Sequence, residues 1–247
     1  MKPLYGLVGK SLKHSFSQDW FTRFFSRNGI DAAYGLFELE QISLLPRLMA
    51  DHPSLAGFNV TIPYKQVILR YCDTLSDTVL KTGATNCIRI SNGKMHAFNT
   101  DVEGFLVMLG LVEGWREMPG ALILGIGGAA RAVKYVFDDA GLPAVMVTRG
   151  EDAPGILRYS QITPEVLRNY PLLVNCTPAG MWPDVEGCPP VPYEFLTGNE
   201  VMMDLVYNPS ETRFLSLGKK KGCLTFGGIT MLYAQAQASW KIWSGQV

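Results

Sequence analysis

Residues 121–141, ALILGIGGAARAVKYVFDDAG, run from an apolar stretch through a glycine-rich turn into an amphipathic segment. A short apolar run stopped by glycine predicts a buried strand, and apolar positions at three- and four-residue spacing predict a helix, so the segment reads strand, tight turn, helix. The spacing Gly125-x-Gly127-x-x-Ala130 adds a chemical constraint. In a dinucleotide-binding turn the first glycine makes the bend, the second lets backbone N–H groups approach a pyrophosphate, and a small third residue lets helix pack on strand. Gly125, Ile126, Gly127, Gly128, Ala129 and Ala130 would then line a phosphate seat at a helix N-terminus. A tight turn that binds nothing is the plainer alternative, and the strand–turn–helix context favours a nucleotide over it.

The end of the following strand, AVMVT (144–148), bears on which nucleotide. An acidic residue there would take the ribose 2′-hydroxyl of NAD, and an arginine the 2′-phosphate of NADP. This chain has Thr148-Arg149 and no carboxylate at that position, which predicts NADP; Glu151 and Asp152 follow closely and work against a phosphate if they face it.

Strand and helix patterns alternate on both sides of this unit. Before it come strands at 3–9, 32–39 and 55–62, helices at 17–28, 42–50 and 64–72, and a hairpin at 86–98 around the turn pair Asn92-Gly93. After it come strands at 144–148, 172–175, 201–207 and 224–226 and a helix at 227–245, with a further helix at 101–116 between the halves. Alternation at this spacing predicts an α/β chain of two domains: 1–100 plus 228–247, with a mostly parallel sheet, and a Rossmann-like 101–227. One link does not fit. The stretch GEDAPGILRYSQI (150–162) is too short and too rich in helix breakers for a crossover helix, so a turn and a short strand at 156–160 are expected instead.

With 22 basic and 22 acidic residues the chain has no bulk attraction for nucleic acid or an anionic membrane, which points to a small partner. No apolar run reaches the roughly 18 residues of a bilayer span, and the start lacks a secretory apolar stretch, so a cytoplasmic protein is expected. Five cysteines without a C-x-x-C pair, and three scattered histidines, suggest reduced, mostly buried thiols and no metal site.

If a nicotinamide works here, reduction of a ketone leaves an alkoxide that needs a cation or acid. Lys65, in GFNVTIPYKQ, stands just after a predicted strand end and begins a predicted helix; Asp101, in FNTDVEG, is its natural counterpart. Each also has a structural reading, a solvated helix-start lysine and a helix N-cap. Ser15 and Ser17, in HSFS, can present two hydroxyls to a carboxylate, or cap the next helix. Asn59, Thr61 and Asn86 can bond hydroxyls or, for the asparagines, neighbouring backbone, and Tyr207 and Gln235 can complete such a ring.

In order, HSFS, GFNVTIPYK, GATNC, FNTDVEG, GIGGAARA, NCTPAGM, DLVYNP and GGITMLYAQAQ resemble the shikimate dehydrogenase family from about residue 5 to 245. The resemblance implies reversible NADP-dependent reduction of 3-dehydroshikimate to shikimate on the way to chorismate and the aromatic amino acids. It implies Lys65 and Asp101 as the catalytic pair and Ser15, Ser17 and Tyr207 around the substrate carboxylate. Asn59, Thr61, Asn86 and Gln235 would lie along the hydroxylated ring, and Gly125–Ala130, Thr148, Arg149, Thr177 and Gly228 on the cofactor side. It further implies a C-terminal helix that packs back on the first domain, a cleft that can close, and a monomer or homodimer. The chain departs from the family where Gln18-Asp19-Trp20-Phe21 follows HSFS and where Gly150-Glu151-Asp152 follows Arg149. Competing readings are a quinate/shikimate dehydrogenase using NAD, a methylenetetrahydrofolate dehydrogenase, which the ordered blocks fit poorly, and a non-catalytic ligand sensor, which need not keep both Lys65 and Asp101.

Overall fold

A computed structural model describes residues 2–12, 15–150 and 154–246. His14, Glu151 and Asp152, and with them the question of a carboxylate facing the 2′-phosphate, lie outside the described residues. The chain divides into two compact units, residues 1–100 with 235–247 and residues 101–234.

The first unit holds strands β1 (Leu4–Gly9), β2 (Ala33–Glu38), β3 (Leu55–Val60), β4 (Thr74–Leu75), β5 (Cys87–Ser91) and β6 (Lys94–Phe98), with helices α1 (Ser17–Arg27), α2 (Leu45–Asp51) and α3 (Asp77–Thr82). Their order across the sheet is β2-β1-β3-β5-β6-β4. β1 pairs parallel with β2 and β3, and β4 with β6, whereas β5 runs antiparallel to β3 and β6, so the sheet is mixed with parallel pairs in the majority. The β5–β6 hairpin turns where expected, through Asn92 and Gly93 at φ 51° and 72°, the left-handed pair that a two-residue hairpin demands.

Several expected elements are shorter. The helix at 64–72 is only a 3₁₀ turn, Val67–Tyr71, so Lys65 does not begin a helix. Its carbonyl accepts from the Thr85 N–H at 2.8 Å, a bond across the unit that takes the place of a helical one. Ser17 is the first residue of α1 and makes no N-cap bond; Ser15 Oγ instead accepts from the Ser17 N–H at 3.2 Å.

The second unit holds α4 (Asp101–Leu109), β7 (Ala121–Leu124), α5 (Gly128–Asp139), β8 (Ala144–Thr148), β9 (Ile156–Arg158), α6 (Pro164–Asn169), β10 (Leu172–Asn175), β11 (Val201–Asp204), α7 (Arg213–Lys220), β12 (Leu224–Phe226) and the start of α8 (Ile229–Trp243). All pairings in its sheet are parallel, in the order β12-β11-β10-β7-β8-β9. That is the doubly wound order, reversing between β7 and β10. α4 ends at Leu109, not 116, and β11 at Asp204, not 207, where the Asp204 carboxylate accepts the Val206 N–H at 3.0 Å and turns the chain out of the sheet. Among the described residues of 150–162 there is no α-helix, as expected, only β9 and a 3₁₀ turn at Tyr159–Gln161. β9 pairs parallel with Met146–Thr148 at the edge of the sheet.

Each unit buries its own cores. Val133, Val136 and Phe137 of α5 pack with Phe105 and Met108 of α4 on one face of the second sheet, while Leu122, Val147, Leu173 and Phe214 fill the other. In the first unit Tyr5, Phe21, Phe25 and Tyr34 close around Trp243, whose ring stacks on Tyr5 at 4.8 Å and whose Nε1 donates to the Ile88 carbonyl at 2.9 Å. Gly57 makes this possible: a Cβ there would lie 2.6 Å from the Trp243 ring. The unit boundary therefore falls inside α8 at Gln235, because Met231 belongs to a second-unit core and Ala236, Ile242 and Trp243 to a first-unit one. All five cysteines are free thiols, but only Cys87 and Cys223 are buried; Cys72, Cys176 and Cys188 are partly exposed.

Candidate active site

Strand direction collects the first unit's polar residues on one sheet edge. β3 ends at Val60, and because β5 and β6 pair with Asn59↔Cys87 and Cys87↔Phe98, the start of β5 and the end of β6 lie beside it. Asn59, Thr61, Lys65, Asn86 and Thr100 all emerge there, and Ser15 and Ser17 follow the parallel strand β1. Lys65 and Thr61 are half-buried in the segment after β3.

Asn59, Asn86, Thr100 and Ser239 are buried, and with half-buried Gln235 they form one hydrogen-bonded cluster. Asn59 Nδ2 donates to the Asn86 carbonyl at 3.1 Å and to Ser239 Oγ at 2.8 Å, and Asn59 Oδ1 accepts from Tyr34 Oη at 3.1 Å. Of the two readings of Asn59, its amide satisfies the one in which it bonds its neighbours. Asn86 Oδ1 accepts from the Thr100 N–H at 2.7 Å, and its Nδ2 reaches Thr100 Oγ1 at 3.0 Å and Gln235 Oε1 at 3.3 Å. Burial pushes the Tyr34 hydroxyl well above its ordinary range, against the pull of a hydrogen bond with Ser17.

In the second unit Asp101 is buried as the first residue of α4, not as its cap. The glycine turn lies at the carboxyl end of β7, next to the loop after β10, at the switch point where open α/β sheets take ligands. Gly125 has φ +117°, a conformation closed to other residues, and a Cβ on it would meet Thr177 Cγ2 at 3.2 Å. Gly127 has an ordinary φ of −75°, and a Cβ built there would meet nothing within 4 Å. Neither backbone nor packing calls for glycine at 127; an anion seated against that backbone does, so these residues fit a dinucleotide. Ala130 is fully buried where α5 meets the sheet.

Thr148 ends β8, its Oγ1 accepting from the Gly150 N–H at 3.0 Å, and Arg149 is exposed beyond it. Burial pushes the Tyr159 hydroxyl up to about 12, with the positive charge of Arg149 pulling the other way. Thr177 is fixed through Asn175, whose Oδ1 accepts from both its N–H (3.0 Å) and its hydroxyl (2.6 Å). Asn175 Nδ2 in turn donates to Asp204 Oδ1 at 2.9 Å, and Thr212 Oγ1 to Asp204 Oδ2 at 2.5 Å. Tyr207 is half-buried in the loop after β11. Gly228 donates its N–H to the Val206 carbonyl, and a Cβ there would sit 2.4 Å from the Leu205 carbonyl oxygen.

Sequence reading passed over Tyr34, Thr100, Asn175, Asp204 and Ser239, whose hydrogen bonds hold the candidate residues directly or through one another. A signal was available for Ser239: it lies four residues after Gln235, on the same face of a helix. Among the described residues no group of three or more His, Cys, Asp and Glu could hold a metal ion, and no helix is long and apolar enough to cross a membrane.

Two α/β units, one a doubly wound parallel sheet with a glycine turn at its switch point, define a Rossmann-type two-unit α/β protein. A family profile described as the shikimate dehydrogenase substrate binding domain matches residues 7–88. The chain is 37% identical to the shikimate dehydrogenase (NADP(+)) of Clostridium beijerinckii over 97% of its length and 91% of that protein's. It is 38% identical to the enzyme of the same name from Caldicellulosiruptor saccharolyticus, covering 98% of this chain and 92% of the relative. The crystal structure of shikimate 5-dehydrogenase from Thermus thermophilus, in complex with NADP(H) and shikimate, superposes with a TM-score of 0.84 at 29% identity, covering 98% and 94% of the two chains. The chain belongs to the shikimate dehydrogenase family, a family of oxidoreductases.

Proposed function

We propose that the protein catalyses the reversible NADPH-dependent reduction of 3-dehydroshikimate to shikimate, in the pathway to chorismate and the aromatic amino acids. The observation that carries this reading is 37% identity, across 97% of the chain, to a protein named for that activity. The open space beside Gly127 supports the cofactor, and Arg149 where NAD-binding chains carry a carboxylate supports NADP over NAD.

When bound, NADPH supplies the hydride that reduces the ring ketone. The rest of the chemistry belongs to the chain. Gly125–Ala130 hold the pyrophosphate through backbone N–H groups, Arg149 and Thr148 take the 2′-phosphate, and Thr177 and Gly228 border the cofactor. Ser15, Ser17 and Tyr207 donate hydroxyls to the substrate carboxylate. Thr61, Asn86 and Gln235 bond the ring hydroxyls, with Asn59 behind them holding the Asn86 backbone. Lys65 stabilises or protonates the alkoxide, and Asp101 orients the lysine and a ring hydroxyl. The protein works in the cytoplasm on a small acid, as a monomer or homodimer.

The test is absorbance at the reduced-nicotinamide band with shikimate or quinate and with NADP+ or NAD+. Shikimate with NADP+ should give the highest kcat/KM. A preference for quinate or NAD+ would replace the reading with the quinate/shikimate one, and binding of shikimate without turnover would replace it with a sensor.

A further inference from the structure

A backbone N–H only donates and a backbone carbonyl only accepts, and such groups set the direction of the bonds in the buried cluster of the first unit. The Thr100 N–H donates to Asn86 Oδ1 at 2.7 Å, so the Asn86 atom reaching Gln235 at 3.3 Å is Nδ2, and the atom that meets it is Gln235 Oε1. The Asn86 carbonyl takes one N–H of Asn59 Nδ2 at 3.1 Å, which sends the other to Ser239 Oγ at 2.8 Å. Ser239 passes its single proton to the Gln235 carbonyl at 2.9 Å and faces Thr100 Oγ1 at 3.2 Å. Thr100 Oγ1 accepts from Asn86 Nδ2 at 3.0 Å, so its own proton is left for Ser239 Oγ or Asn86 Oδ1.

Ser239, fully buried in α8, is the point where Asn59, Thr100 and the Gln235 backbone meet. We propose that Ser239 is a positioning residue for substrate binding: by accepting from Asn59 and donating to the Gln235 carbonyl it fixes the turn of α8 that sets Gln235 Oε1 on Asn86, and with it the Gln235 side chain assigned above to a ring hydroxyl. This role rests on the reading of the ligand as shikimate given above. Without the hydroxyl a buried Asn59 N–H loses its acceptor and the Gln235 carbonyl loses a donor, so the turn of α8 that carries Gln235 is no longer tied to β3 and Gln235 Oε1 loses its fixed seat on Asn86.

The experiment is calorimetric titration of shikimate into the full chain and into Ser239→Ala, Gln235→Ala and the double variant, with NADP+ titrated into each. Because both residues act on one contact, Ser239→Ala should weaken shikimate about tenfold, and the double variant should fall within about threefold of Gln235→Ala. NADP+ affinity should stay within about twofold throughout, since the cofactor turn shares none of these bonds. If the alanine variant does not fold, Ser239→Cys, whose thiol accepts weakly, should shift affinity in the same direction. Wild-type affinity in the alanine or cysteine variant, or losses that multiply in the double variant, would overturn the proposal. Wild-type protein that binds shikimate without reducing NADP+ would overturn the dehydrogenase reading and leave this comparison standing; no shikimate binding at all would overturn both.

Discussion

Lys65 and Asp204 are two charged side chains with opposite consequences. If Lys65 neutralises a developing alkoxide, it acts on the transition state more than on the bound substrate. Lys65→Ala should therefore lower kcat at least about 100-fold, with shikimate affinity within about threefold, in steady-state kinetics paired with calorimetry. Turnover like that of the parent would remove Lys65 from the mechanism. Asp204 is a structural carboxyl with a titration of its own. Burial raises it from 3.8 to about 6, against the pull of bonds from Thr212, Val206 and Asn175. A carboxyl raised in the folded state binds its proton more tightly there, so its contribution is complete below about pH 4 and is lost as pH rises through about 6. A rise of that size is worth about 3 kcal/mol. Asp204→Asn copies the protonated form, an acceptor toward Val206 and Asn175 and a donor toward Thr212. Urea unfolding should find the variant up to about 3 kcal/mol more stable than the parent at pH 7 and equal to it near pH 4. A variant that is less stable at pH 7 would mean that the three donors outweigh burial.

The β7–turn–α5 element separates binding from folding more cleanly than any other. Its backbone at Gly127 suits any residue, and the space where a Cβ would stand is open. Gly127→Ala should change stability by less than about 1 kcal/mol, because a small N-cap penalty is offset by a stiffer unfolded chain. The same methyl would stand where a pyrophosphate must approach, so NADP+ should bind at least about tenfold more weakly in a fluorescence titration. Unchanged NADP+ affinity would mean that the turn seats nothing. This element was legible in the sequence because its strand, turn and helix are all set by local spacing. The segment after β3 was not: residues 64–72 read as a helix begun by Lys65, whereas a long-range bond from Thr85 holds the Lys65 carbonyl in a turn. The lack of an α-helix among the described residues of 150–162 was legible again, since too few residues for a helix is a matter of counting.

Two units with separate cores suggest two separately detectable ligand responses. In hydrogen exchange, shikimate should slow amides around 59–65, 85–87 and 235–239, and adenosine 2′,5′-bisphosphate those around 125–130 and 148–150. Protection by the bisphosphate confined to the first unit would reverse the assignment of substrate and cofactor to the units. What the amino-acid order determined alone was the α/β alternation, the hairpin at Asn92-Gly93, the glycine turn and the identity of most candidate site residues, because periodicity, turn chemistry and motif spacing act over a few neighbours. Folding in three dimensions settled which polar groups serve as support. Asn59, Thr100 and Ser239 are joined across as many as 180 positions, and Asp204 reaches Asn175 across 29. No local pattern carries such bonds, since they exist only once strand register and the packing of α8 bring distant side chains within 3 Å or so of one another.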